Sequence, residues 1–290
     1  MKWSIYSAVL AVTLAVGLSP TAWAQGNCTP KLGHPPLMQQ GSLIAAINPT
    51  VAPIQYVDDS GKIVGLDVDL GDAIAKRLCQ KMVFQSTEFA TMIPLLKEGR
   101  IDMIDSFMFY TPERAAQVLM IPYGASTMAI VVPKSNNDKI DGPEYFSGKS
   151  FGVELGTVDY KDAEATSAAL QKAGKPPIEI HTFDTYANVL QALSAGQVDG
   201  AFVGTEQAYY YRNKGVGFFR IALTGYDPHA EALAFKDPAI ADAVAKVMND
   251  MRTDGSFEKI FKQYGHCLLP GPYKVTSGPL PKPDCQAQPQ

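Results

Sequence analysis

The sequence predicts an α/β fold built as two doubly wound lobes joined by a hinge. Three observations lead there. Strand-like apolar runs alternate with amphipathic helical runs along most of the chain, the pattern of parallel sheets with helices on both faces. A series of strand, helix, short helix and strand occurs twice, with LLKEGRIDM (95–103) and ALSAGQVDG (192–200) in matching places. A polar stretch, Ser135-Asn136-Asn137-Asp138, stands between the two series as the edge of a linker.

The first series opens with the apolar run SLIAAI (42–47), a buried strand. Asp58-Asp59-Ser60-Gly61 is a turn, and Ile63 to Gly65 is a short strand leading into a helix over 67–79. Val68, Leu70, Ala73, Ile74 and Leu78 give that helix one apolar face. Asp67 and Asp69 suit the positive end of its dipole. A second strand spans 81–85, a short helix 91–98 is stopped by Gly99, and a third strand spans 101–106. Pro112 to Gln117 starts a turn or helix that Thr111 can cap. That unit sets Arg114 at the lip of a cleft. A fixed guanidinium there holds a carboxylate by two parallel hydrogen bonds, which points to a small anionic or zwitterionic solute.

An apolar run, 128–133, leaves this unit. The second series follows: a strand at 150–153, a turn at Gly156-Thr157, a helix over 162–173, a strand at 178–182, a helix over 185–195, and a strand at 200–203. A tyrosine-bearing helix spans 206–214, with Glu206 read as a solvated residue at its start. The last helices, 238–252 and 256–264, break at Asp254-Gly255, and 274–290 is a proline-rich tail.

The bulk numbers exclude several classes. The chain has 290 residues, is 46% hydrophobic and carries a net charge of −4, with acids and bases mixed. That suffices for one large or two smaller domains, and the absence of a basic stripe argues against a nucleic-acid partner. No long apolar run follows residue 20. Before it, Lys2, the apolar stretch 5–18, Pro20 and Ala22-Trp23-Ala24 read as a secretory signal peptide cleaved near Ala24. Gln25-Gly26-Asn27 before Cys28 lacks a lipoprotein context, which favours a soluble periplasmic product. Four cysteines in an exported chain permit two disulfides. A bridge between Cys267 and Cys285 would pin the tail, with Cys28 to Cys79 as the other. His34, His181, His229 and His266 are scattered, read as surface or packing residues, and no metal or cofactor site is expected.

The ordered motifs GLDVDL, IPLLKEGRIDM, TPER, IPY, FGVELGT, ALSAGQVDGAF and RTDGSFEKIFKQYG, across about residues 40–265, carry a resemblance. The chain resembles the periplasmic solute-binding proteins of amino-acid-type ABC importers, bacterial extracellular solute-binding family 3. The resemblance implies a periplasmic-binding-protein type 2 architecture, no catalytic residues and no cofactor. It implies closure over one solute and docking of the loaded, monomeric protein on a membrane permease. It also implies domains: signal peptide 1–24, a first lobe of 25–132 plus 226–290, and a second lobe of 133–225.

The ligand-binding set implied by the resemblance is Arg114, Phe89, Phe109, Thr157, Ser106, Glu206 and Val51. Arg114 matches the arginine that grips the ligand carboxylate, Phe89 a wall residue, and Thr157 the second-lobe helix start that meets the same carboxylate. Three positions depart from the family. Val51 stands where many members place an aromatic, Phe109 where many have Ser or Thr, and Gly204 where many have the Asp that pairs with the ligand ammonium. Either Glu206 substitutes for that Asp, or the ligand has no primary ammonium and Phe89 and Phe109 cover a ring or a quaternary amine. Two alternatives remain beside transport. One is a cyclohexadienyl-dehydratase-like enzyme with Glu206 or Glu154 as the acid. The other is a module presenting its ligand to a sensor.

Overall fold

The structure, a computed structural model, describes residues 28–33 and 36–284. The expected signal peptide, His34 and Cys285 lie outside those residues, so the Cys267 to Cys285 pairing falls partly outside them. The other expected disulfide, Cys28–Cys79, is formed with the Cα atoms 5.7 Å apart.

The first lobe begins with β1 (Ser42–Ile47), whose six residues are all buried. A small antiparallel sheet follows, made of β2 (Thr50–Val51), β3 (Gln55–Val57) and β4 (Ile63–Val64). Helix α1 (Leu66–Leu78) buries Leu66, Val68, Leu70, Ile74 and Leu78, close to the face expected from their spacing. Cys79 ends it in the left-handed conformation, and the N–H groups of Cys79 and Gln80 return to Lys76 and Ala75. Then come β5 (Lys81–Ser86), α2 (Met92–Glu98), β6 (Met103–Ile104) and α3 (Pro112–Ala115). Strands β5 and β6 flank β1, both parallel to it.

Two long strands join the lobes. β7 (Leu119–Pro133) runs 15 residues and starts well before the apolar run at 128. The second lobe holds β8 (Ser150–Glu154), α4 (Val158–Lys172), β9 (Glu179–Phe183), α5 (Tyr186–Ser194), β10 (Gly200–Gly204) and α6 (Thr205–Asn213). β11 (Phe219–Phe235), 17 residues, then returns to the first lobe antiparallel to β7. Helices α7 (Pro238–Thr253) and α8 (Ser256–Tyr264) pack there, and β12 (Cys267–Leu268) adds to β7 at Gly124–Ala125. The sheet order is β5-β1-β6-β11-β7-β10-β8-β9. β11 meets β6 through Ala234 and Phe235, whereas β7 meets β10 through Met128 to Val131. Both crossing strands therefore serve both lobes. Their register slips repeatedly between Ile221 and His229, where bulges bend the ribbon.

Two expected boundaries move. The third strand shrinks to Met103–Ile104, because the chain beyond Asp105 turns to build the cleft wall and Phe107 takes φ 45°. Helix α4 starts at Val158, four residues earlier than the sequence suggested, with Thr157 as its cap.

Candidate ligand-binding cleft

One cleft, enclosing about 330 Å³, lies between the lobes. Its first-lobe wall includes Asn48, Val51, Gln55, Phe89, Ser106 and Arg114. Its second-lobe wall includes Glu154, Thr157, Asp159 and Tyr186.

Arg114 is placed by its own short helix. Pro112 occupies the first turn, and Thr111 Oγ1 accepts from Arg114 N at 3.2 Å. The side chain is only 8% exposed. Its guanidinium lies 5.3 Å from the centre of the Phe89 ring, a cation–π distance. Nη1 donates to Phe109 O at 2.6 Å and Nη2 to Gly156 O at 3.0 Å, so one side chain touches both lobes. Burial lowers its pKa to about 10, which still leaves it cationic at neutral pH. Gly156 has φ +83°, and a Cβ there would sit 3.2 Å from Ala90 across the cleft. A glycine is what lets the lobes approach this closely.

Ser106 Oγ accepts from Asn48 N and from Gln55 Nε2, each at 2.9 Å. Asn48 Nδ2 in turn donates to Glu154 Oε1 at 2.6 Å, a second link across the cleft. Thr157 Oγ1 donates to Glu154 O at 2.6 Å and accepts from Tyr160 N at 3.2 Å. In the first turn of α4, Asp159 accepts from Tyr186 OH at 3.1 Å, while its Oδ2 is buried without a hydrogen-bond partner. Burial raises Asp159 to about 6 even with Arg114 nearby, and burial together with the charge of Asp159 raises Glu154 well above the carboxylate range.

Six of the seven expected ligand residues, Arg114, Phe89, Phe109, Thr157, Ser106 and Val51, line this cleft. Glu206 does not join them, and it is not solvated. It is buried, with Oε2 accepting from Ser126 Oγ at 2.6 Å and Oε1 3.3 Å from His266 Nδ1. His266 is no surface residue either: its Nε2 lies 2.7 Å from Glu231 Oε2, with both side chains fully buried. The pull of that histidine turns Glu206 away from the cleft. Asp67 also does more than favour a helix dipole, since it is buried and accepts from Phe107 N and Tyr123 OH.

Asn48, Gln55, Phe107 and Asp159 escaped sequence reasoning. Phe107 is set by its unusual backbone, and its ring reaches the place where Gly204 leaves room. A side chain begun at Gly204 would stand 3.4 Å from that ring and 3.8 Å from Val51. Asp159 had a visible signal: it lies two residues after Thr157 in GTVDY, within the first turn of a helix the sequence placed too late.

The fold and cleft agree with three comparisons. The model of the bacterial extracellular solute-binding proteins, family 3, matches residues 43–266. A probable histidine-binding protein of Campylobacter jejuni is 30% identical over 218 residues, covering 74% of this chain and 82% of that protein. Among solved structures, an ancestral arginine-binding protein bound to arginine aligns with TM-score 0.71 and 30% identity, covering 78% of this chain and 98% of that one. An ancestral amino acid-binding protein, described as a precursor of cyclohexadienyl dehydratase, aligns with TM-score 0.68 and 28% identity over 77% of this chain and 95% of that one. The chain belongs to the bacterial extracellular solute-binding proteins, family 3.

Proposed function

We propose that this is an exported solute-binding protein. It closes over a small carboxylate-bearing solute, an amino acid or a derivative of one, and delivers it to the permease of an ABC importer. The leader 1–24 directs export; 25–132 with 226–290 forms the first lobe, and 133–225 the second. The names of the relatives, histidine- and arginine-binding proteins, support the solute class.

The observation that carries the reading is the guanidinium of Arg114. Two carbonyls take two of its five N–H donors, one from each lobe, which leaves donors for a carboxylate in the same plane. A guest there touches both lobes, and contact with both is what biases a hinge toward closure. Phe89, Phe109, Val51, Ser106 and Thr157 form the surrounding wall; Glu206 supports the joint between the lobes rather than the ligand.

The test is a thermal-shift screen over amino acids, betaines, opines and organic acids, followed by calorimetry on the best binder with Arg114→Ala. A bound solute raises the melting temperature by mass action. Loss of a charge-assisted hydrogen-bond pair of about 1.5–3 kcal/mol corresponds to a weakening of at least about tenfold. Unchanged affinity in the variant removes the anchor.

A second reading rests on Glu154, a buried carboxyl that holds its proton and faces the cleft. Such a group is suited to general-acid work, as in a dehydratase. Incubation with prephenate or arogenate decides it: product formed by the wild type and lost in Glu154→Gln would make the protein an enzyme.

A further inference from the structure

We infer that Asp159, with Glu154 beside it in the second-lobe wall, takes the positive end of the guest, and that the guest is an amino acid of net positive charge. This rests on the binding reading above and names its substrate class.

The argument begins with charge. The cleft is lined by one cation, Arg114, and two acids, Glu154 and Asp159. A carboxylate on Arg114 consumes the cation and leaves two acidic groups unmatched. A guest with two positive groups matches both; a neutral zwitterion matches one, and an acidic amino acid repels both. The second step is the state of these acids. Asp159 Oδ2 is buried with no hydrogen-bond partner although its residue lines the cleft, an arrangement that is costly until a donor arrives. The third step is Gly204. That position faces Phe107 and Val51, an apolar corner that offers an ammonium nothing. Recognition of positive charge therefore moves to the beginning of α4.

Asp159 faces Arg114 on α3 and Tyr186 on α5, and Glu154 faces Asp159, Asp184 and Asn48. Both acids hold protons more tightly than in water. A cation arriving beside them lowers both values, so binding releases protons and tightens as pH rises through about 6, the pKa of Asp159. Glu154 also gives up its hydrogen bond with Asn48, or shares it, as the cation enters.

The experiment is calorimetry on the full mature chain with arginine, lysine, glutamine and glutamate at pH 8, repeated at pH 5.5 and in two buffers of different ionisation enthalpy. Arginine or lysine is expected to bind at least about tenfold tighter than glutamine, with glutamate weakest and with protons released to the buffer. Asp159→Asn and Glu154→Gln are expected to bring the ratio of cationic to neutral affinity toward one. Glutamine or glutamate binding as tightly as the cationic pair overturns the inference, as does a ratio unchanged in both variants. If a variant fails to fold, the wild-type ranking and its proton release decide alone. Equal binding of neutral amino acids that still depends on Arg114 sinks this inference and leaves the binding function standing. Silence toward every carboxylate-bearing solute removes both.

Discussion

The pH dependence of stability tests the interior of this protein directly. Six buried groups bind protons more tightly in the folded chain than in the unfolded one. Burial raises Asp67 from 3.8 to about 7 and Asp159 from 3.8 to about 6. Burial also raises Asp105, Glu154 and Glu231, each helped by a neighbouring acid. His266 is raised well above 6.5: burial opposes its charge, and the carboxylates of Glu231 and Glu206 overcome that opposition. For the five carboxyls, the folded state holds a proton that the unfolded state has lost, so stability falls as pH climbs from the unfolded toward the folded value. For His266 the ion pair stabilises fully below about 6.5 and fades as pH rises through its folded pKa. All six act in one direction. Asp227 and Asp254, lowered to about 2 by hydrogen bonds and nearby cations, act the other way, but only below about 4.

The size follows from linkage. With pKa values of about 7 folded and 3.8 unfolded, Asp67 adds about 2.7 kcal/mol at pH 5 and about 0.4 at pH 7. Asp159 adds about 1.4 kcal/mol at pH 5 and under about 0.1 at pH 7. The two together make the protein on the order of 3 kcal/mol more stable at pH 5 than at pH 7. The assay is urea unfolding at constant ionic strength, followed by circular dichroism, because both tryptophans, Trp3 and Trp23, precede the mature chain. Asp67→Asn should flatten the dependence. A midpoint that rises steadily from pH 5 to pH 8 in the wild type would refute the reasoning, because it requires these acids to be better matched than the structure shows.

Two further predictions concern what holds the lobes. His266→Ala strips the partner from Glu231 and Glu206 and leaves buried carboxylates uncompensated, so it should lower unfolding stability by about 3–5 kcal/mol at pH 6; a loss under about 1 kcal/mol there would mean the acids find other partners. The Cys28–Cys79 bridge spans a sequence separation of 51, and the chain-entropy argument gives it about 4 kcal/mol. The double variant Cys28→Ser/Cys79→Ser should therefore unfold at lower urea while keeping its circular dichroism, and an unchanged midpoint would show that the unfolded chain is not restrained by the link.

The alternation of elements was legible because it is a local property. The buried run of β1, the amphipathic face of α1 and the glycine stop at Gly99 each announce themselves within a few residues. β11 did not, although it carries half of the crossing between lobes. Gly225, Asp227 and Pro228 break its pattern, and its long pairing with β7, bulges included, is a contact between distant segments. The site divides in the same way. Arg114 could be found because Thr111 and Pro112 fix it from inside one short motif. Glu206 was misplaced because its direction depends on His266, sixty residues further on, which sequence spacing could not bring beside it. Asp159 was lost through four residues of helix boundary: once Thr157 is the cap, the next two positions enter the first turn, and an acid there faces the cleft rather than solvent. The charge that the family pattern seeks at Gly204 thus exists in this chain, reached from another element, and only the folded arrangement of β8, α4 and α5 shows that the two positions border the same space.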